Sequence, residues 1–181
     1  PLSDRFMVVA TENPIENQGV YPLPEAQLDR FLFKHVLGYP SAEEELASVT
    51  GHGARTGPPS PMAWGVGAIT DAAGIAAAVA EVGQVRLVPD VAEYVVRLIR
   101  ATRTASDLAV GASPRAAVML AAAARAEAAL AGRDYVLPDD VKALAAPLLR
   151  HRVILSPAAE IEGRTADGIV AGLIAEVEAP R

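Results

Sequence analysis

The 181 residues are enough for one domain of ordinary size, or for a small domain with part of another. Apolar residues make up 51% of the chain and charged residues 21%, a globular balance that argues against disorder; the formal net charge of −6 disfavours a protein whose main task is gripping phosphate backbones. With no cysteine, disulfides, thiol catalysis and zinc ribbons are excluded together. Aromatics supply only 4%, so the core must rest on close helix packing through small side chains, alanine above all. No stretch approaches the roughly 20 apolar residues that a membrane helix needs. Pro1-Leu2-Ser3-Asp4-Arg5 has neither the basic start nor the apolar middle of a signal peptide, and with no initiator Met the chain is expected to begin inside a longer gene product. A reducing compartment fits the absence of Cys, and a cytoplasmic location is expected.

In chain order, Phe6-Met7-Val8-Val9-Ala10 is a short apolar run that predicts a strand buried on both faces. Asn13-Pro14 ends it, and a loop continues past Gly19 and Pro22. Pro24 opens a short helix over 25–28. Phe31 to Leu37 predicts a second strand, interrupted by Lys34 and closed by Gly38-Tyr39-Pro40. Ser41 with Glu44 three residues on is a capping box, opening a helix to about Thr50. Gly51-His52-Gly53, Gly57-Pro58-Pro59 and Ser60-Pro61 then mark a joint over 51–70.

From Asp71, which can cap a helix to about Val82, the pattern is helical. Pro89-Asp90 opens a helix with Val91, Val95, Leu98 and Ile99 on one face. Ser113 as N-cap with Pro114 at the first position starts an Ala-rich helix that runs to Gly132. Pro138-Asp139-Asp140 opens another, with Val141, Leu144, Ala145, Leu148 and Leu149 as its apolar side, and a last helix is expected over 165–177. The expected fold class is therefore mainly α: a bundle of about four or five helices over 71–181, preceded within 1–50 by two strands, a short helix and a connecting helix.

Several chemistries are absent from the string. The phosphate-cradling pattern G-x-x-x-x-G-K-[ST] does not occur; the lysines are Lys34 and Lys142, and neither follows a glycine. No Asp-Glu dipeptide follows an apolar run, and the serine elbow G-x-S-x-G is missing. His35, His52 and His151 are scattered without ligand spacing, so no metal site is expected. Glu43-Glu44-Glu45 and Asp139-Asp140 read as solvated helix starts, where acids suit the helix dipole. Arg97, Arg100 and Arg103 form a basic stripe that reads as a solvated face, with Glu93 four residues before Arg97.

The segment Ala10-Thr11-Glu12-Asn13-Pro14-Ile15-Glu16, followed by Tyr21-Pro22-Leu23-Pro24-Glu25-Ala26-Gln27-Leu28-Asp29-Arg30-Phe31, closely resembles the MoxR family of AAA+ ATPases. Gly111-Ala112-Ser113-Pro114-Arg115-Ala116 matches a second block of that family. Gly132-Arg133-Asp134-Tyr135-Val136 with Pro138-Asp139-Asp140-Val141-Lys142-Ala143-Leu144 matches a third. The three occur in the family's order. The resemblance implies that 1–50 is the distal end of an α/β P-loop AAA+ core with a connecting helix, that 51–70 is a joint, and that 71–181 is the helical lid. The Walker A loop and Walker B strand are expected upstream of the Asn-Pro block.

By position the resemblance marks three residues. Asn13 stands where the family places sensor 1, an amide that holds the attacking water; an Asx turn before Pro14 is the structural alternative. Arg30 stands at the arginine finger, a permanently charged fork lent to a neighbouring subunit's phosphates; an ion pair with Asp29 or Glu25 is the alternative and can coexist with it. Arg115 stands at sensor 2, where a cation at a helix N-terminus works against the dipole; an exposed arginine paired with an acid is the alternative. Glu12, Asn17 and Val20 depart from the usual family residues, and Leu137 replaces the usual capping Ser or Thr, which weakens that helix start.

The resemblance implies the sensor and lid portion of an ATPase that forms a ring, commonly a hexamer, uses ATP and Mg²⁺, both held mainly by upstream residues, and drives chaperone-like remodelling or maturation of client proteins. A von Willebrand factor A domain partner is implied as well. The chain by itself is expected to be inactive, and its two strands to be orphans that leave 1–40 disordered, swapped or dimer-forming in isolation. The rival reading is a freestanding helical adaptor without catalysis. A DNA-remodelling role is disfavoured by the acidic balance and the lack of interleaved aromatic and basic residues.

Overall fold

Residues 6–12, 23–52 and 60–180 are described by a computed structural model, in which helices dominate. In chain order these are α1 (Glu25–Leu28), α2 (Ala42–His52), a 3-10 turn (Pro61–Trp64), α3 (Ala72–Gln84), α4 (Pro89–Thr104), β1 (Leu108–Val110), α5 (Pro114–Leu130), α6 (Pro138–Leu149), β2 (Ile154–Leu155), α7 (Pro157–Ile161) and α8 (Ala166–Glu176). They divide into two compact units, one of residues 84–181 with the segment up to Lys34, the other of residues 35–83.

The first unit holds the core. Val91, Tyr94, Val95, Leu98 and Ile99 are buried along one face of α4, at the spacing that a 3.6-residue helix needs for a single stripe. On α5 the buried positions are Ala116, Leu120, Ala123, Ala124 and Ala128, one stripe at helical spacing. Four of the five are alanine, so α5 brings its backbone close to α4 and α6, which flank it. Val141, Ala145, Leu148 and Leu149 of α6 and Ile169, Val170 and Leu173 of α8 complete the cluster. Five helices follow residue 88, with α7 as an element that the periodicity did not show; the helix expected from Asp71 forms as α3, which falls almost wholly in the other unit.

The entry to α5 is fixed by backbone contact. The buried Thr102 hydroxyl donates to Ile99 O at 2.7 Å and accepts from the Ala112 N–H at 2.9 Å. Arg103 Nε donates to Ala112 O at 2.8 Å. Between them lies Gly111, where a Cβ would stand 2.5 Å from Thr102 O and 2.7 Å from Arg103 Cα. Only glycine lets the two backbones approach so closely.

The turn from α5 to α6 is equally determined. Gly132 (φ 71°) closes α5 in a Schellman arrangement, with Arg133 N–H on Ala128 O and Gly132 N–H on Ala129 O, both 2.9 Å. Leu137 offers no capping oxygen, but Asp140 reaches back and accepts its N–H at 2.8 Å. Arg133 locks that carboxylate from the other side. The expectation of a solvated acidic helix start thus holds for Asp139, which pairs at the surface with Lys142, and fails for Asp140, which is buried. A parallel bridge between Arg86 and Tyr135 ties the approach to α4 to the approach to α6.

The expected strands over 6–10 and 31–37 do not form. Residues 6–10 are exposed and lie in no ladder. Along 31–34 backbone groups that a ladder would use are taken by residues of α6 and just beyond it: Phe31 O and Leu32 O accept from Arg152, and Lys34 N–H donates to Pro147 O at 2.9 Å. The sheet among the described residues is instead β1 with β2, an antiparallel pair with Leu108 opposite Leu155 and Val110 opposite Ile154.

In the second unit the expected capping box at α2 is present. Glu44 accepts the Ser41 N–H at 2.8 Å, and Glu44 N–H donates to Ser41 Oγ at 3.3 Å. Asp71 caps α3 through the Gly74 N–H at 2.8 Å. Ile75 and Val79 of α3, like Leu46 and Val49 of α2, are exposed.

Candidate functional site

The three residues singled out by the family blocks have different fates. Asn13 lies outside the described residues. Arg30 and Arg115 fall in the same unit, and Asp29 links their neighbourhoods.

Arg30 follows α1, a single turn opened by Pro24 and continued by Asp29 N–H on Glu25 O and Arg30 N–H on Gln27 O. Its side chain is exposed, and among the described residues its guanidinium makes no hydrogen bond or ion pair. The ion pair with Asp29 or Glu25 that the sequence left open is not formed.

Asp29 is committed elsewhere. Its Oδ1 accepts from Arg152 Nε at 3.0 Å. Its Oδ2 faces Arg115 Nη1 at 3.3 Å and the Ser113 hydroxyl at 3.4 Å. Ser113 stands at the N-cap of α5, yet its side chain accepts no helix N–H; the hydroxyl turns to Asp29 instead, which corrects the capping role read from the sequence. A carboxylate beyond the first turn of α5 answers both the dipole and the cation at Arg115. Arg115 therefore has the acid partner foreseen as its structural alternative, but in a loose, half-exposed pair. Such a pair exchanges readily for a stronger anion.

Arg152 was not singled out by sequence reasoning. Its side chain is 1% exposed, and every N–H of the guanidinium is used. Besides Asp29 Oδ1 it donates to the carbonyls of Asp29 at 3.0 Å, Leu32 at 3.1 Å, Phe31 and Leu148, and Nη2 also lies 3.3 Å from Met119 Sδ. Burial pushes its pKa down, while the Asp29 carboxylate opposes that; an arginine remains charged regardless. Beside it, His151 places Nε2 3.1 Å from Phe31 O, and Arg150 donates to Lys34 O at 3.1 Å. Three consecutive side chains after α6 thus strap residues 29–34 to the helices. The available signal was an arginine between α6 and the apolar run Val153-Ile154-Leu155, with no acid near it in sequence to pair with.

The described residues contain no group of three His, Cys, Asp or Glu side chains able to hold a metal. What the cluster offers a ligand is positive: Arg30, without a partner among the described residues, and Arg115, loosely held. That suits phosphate oxygens, because guanidinium forks match them in charge and geometry. The stripe Arg97, Arg100 and Arg103 lines a shallow depression on α4, where Arg97 donates to Glu178 O at 3.0 Å and Arg103 to Ala112 O.

The chain is similar to known proteins along its length. Residues 1–33 match the family described as ATPase family associated with various cellular activities (AAA), and residues 100–173 match the AAA lid domain. The chain is 43% identical to the uncharacterized protein YeaC of Bacillus subtilis, over 99% of this chain and 54% of that protein. It is 43% identical to the chaperone MoxR1 of Mycobacterium tuberculosis, over 86% of this chain and 42% of the other. Protein MoxR of Paracoccus denitrificans is 34% identical over 86% of this chain and 50% of its own length. The chain thus spans about half the length of the curated relatives it matches. The crystal structure of a "putative ATPase" from Cytophaga hutchinsonii matches all of this chain and 56% of its own, with a TM-score of 0.88 and 35% identity. No helix among the described residues is long and apolar enough to cross a membrane.

Proposed function

Because the chain belongs to the MoxR-like AAA+ ATPases, we propose that it is the sensor and lid portion of such an enzyme, with 1–50 as the distal end of the nucleotide-binding core and 71–181 as the lid. The whole protein hydrolyses ATP with Mg²⁺, assembles as a hexameric ring in the cytoplasm, and uses the energy for chaperone-like remodelling of client proteins, with a von Willebrand factor A domain protein as partner. The observation that carries this reading is the arginine pair around Asp29: Arg30 exposed and unpaired among the described residues, Arg115 half-exposed and loosely held.

Hydrolysis of a terminal phosphate needs positioning and fixed charge more than covalent chemistry. Asn13 positions the attacking water. Arg30 reaches the nucleotide of the adjacent subunit, where its guanidinium neutralises charge that grows on the phosphoryl oxygens. Arg115 releases Asp29 and takes up a phosphate oxygen, so that nucleotide state is read by the lid. Mg²⁺ supplies further charge neutralisation when bound; no described residue is assigned to it. This chain alone, without a phosphate cradle, turns over no ATP.

The test is ATP turnover by the full-length product, wild type against Arg30→Ala and Arg115→Ala. Arg30→Ala lowers kcat by on the order of 10³-fold or more while leaving nucleotide binding intact. Unchanged turnover in the assembled Arg30→Ala ring refutes the assignment.

A further inference from the structure

We propose that Arg152 is a positioning residue for Arg30, and that through Asp29 it makes the arginine finger a part of the lid rather than of the core that carries it in sequence. The inference rests on the reading of Arg30 given above and goes beyond it.

The geometry is one-sided. α1 is four residues long, too short to hold a loop by itself, and contributes no buried residue. Residues 29–32 form no ladder. Among the described residues, the side chains that take their backbone carbonyls come from beyond α6. Arg152 accounts for the carbonyls on both sides of Arg30, taking Asp29 O at 3.0 Å and Phe31 O, and reaches on to Leu32 O at 3.1 Å. It also fixes the Asp29 carboxylate through Nε. The backbone at Arg30 is therefore bracketed by one buried guanidinium whose own base is anchored to α6 through Leu148 O. Arg30 cannot shift by an ångström without breaking that bracket, and the bracket moves as α6 moves.

The same carboxylate has a second, weaker hold. Arg152 grips Oδ1 in the interior, and Arg115 touches Oδ2 at the surface. The interior half is permanent and the surface half is exchangeable. When Arg115 leaves for a phosphate, Asp29 stays with Arg152, and the finger keeps its place.

Lysine at position 152 keeps the charge but has three donors on a single nitrogen and cannot span four carbonyls and a carboxylate. Misplacing a reacting group by about 1 Å can cost on the order of 10²-fold in rate. The experiment uses the full-length ring with ATP and Mg²⁺ and compares wild type, Arg152→Lys, Asp29→Asn, Arg30→Ala and the double variant Arg152→Lys with Arg30→Ala. We expect Arg152→Lys to lower kcat on the order of 10²-fold with KM little changed, and Asp29→Asn to lower it in the same direction. In the Arg30→Ala background Arg152→Lys should cost nothing more, because there is no finger left to misplace. Amide exchange across 27–33 should quicken in Arg152→Lys while α4 and α5 keep their protection.

An additive loss in the double variant overturns the proposal, since Arg152 would then act independently of Arg30. So does a kcat that Arg152→Lys leaves unchanged while Arg30→Ala abolishes turnover. If Arg30→Ala itself changes nothing, the finger assignment fails first. If Arg152→Lys does not assemble, Asp29→Asn carries the same comparison with Arg30→Ala, because it removes the charge that Arg152 Nε holds and preserves the shape.

Discussion

Arg133 and Asp140 close a two-point ion pair across the turn between α5 and α6, Nη1 to Oδ2 at 2.9 Å and Nη2 to Oδ1 at 2.6 Å. The pair converts a weak helix start into a firm one, since the same carboxylate accepts the Leu137 N–H where no capping hydroxyl exists.

Its loss should therefore cost more than that of a surface pair. Asp140→Ala removes a charged cap and two charge-assisted bonds from a buried site, and about 2 kcal/mol is expected. Burial alone would push the Asp140 carboxyl up, but the Arg133 hydrogen bonds and the Leu137 N–H outweigh it and hold the carboxyl below its ordinary range. A carboxyl lowered by folding stabilises the fold above its unfolded pKa, near 4, and that contribution disappears as pH falls through the lowered value. Thermal melts from pH 7 to pH 2 should lose stability in the acid range in the wild type. The slope should be shallower in Asp140→Asn, which is already weakened at neutral pH. Parallel slopes would show that other groups govern the acid transition.

Gly111 allows a sharper test, because backbone and not side chain occupies the space of its missing Cβ. Alanine there would meet Thr102 O at 2.5 Å and Thr102 C at 2.6 Å, and neither atom can turn away. Overpacking of this kind costs roughly 1–3 kcal/mol, toward the upper end where the obstacle is backbone. Thr102→Val leaves the space alone but strips the buried Ala112 N–H of its acceptor, and about 1–3 kcal/mol is expected. Both variants should also disturb Arg115, four residues beyond Gly111. Denaturant unfolding measures the first effect, and full stability in Gly111→Ala would mean the turn is free to open.

The bundle was legible in the sequence because its periodicity is local. The apolar stripes of α4 and α6, the capping box of Ser41 and Glu44, and the cap at Asp71 each depend on residues within a turn or two. The family blocks located Arg30 and Arg115. What the string could not show are meetings over long separations. Arg152 lies 123 positions from Asp29, and nothing in its neighbourhood signals the pairing. The strands expected over 6–10 and 31–37 failed for a related reason. Apolar runs of that composition suit a sheet, but a strand needs a partner, and at 31–34 the available hydrogen bonds come from Arg152 and Pro147. Ser113 was read as a cap from its place before Pro114, whereas a carboxylate 84 positions away takes its hydroxyl.

His151 gives the strap on residues 29–34 a pH limit. Its Nε2 faces Phe31 O, so that nitrogen carries the hydrogen, and its buried Nδ1 has no hydrogen-bond partner among the described residues. A second proton would have to sit on Nδ1, with no acceptor there. Burial is the main force lowering the pKa, and the charges of Arg152 and Lys34 add to it; the Phe31 carbonyl and Asp29 work in the opposite direction without prevailing. A base lowered by folding is neutral in the folded protein and takes up its proton more readily when unfolded. The stability it represents is thus complete above the ordinary value of about 6.5 and is lost as pH falls below it. Between pH 7 and pH 5 the melting temperature should drop, each 1 kcal/mol lost corresponding to roughly 2–4 °C in a chain of this size. Amides of residues 31–34 should exchange faster over the same interval. His151→Phe retains the ring volume, and Phe31 O still accepts from Arg152, so the variant should fold with a flatter pH profile. An unchanged pH slope in His151→Phe would assign the transition to another group.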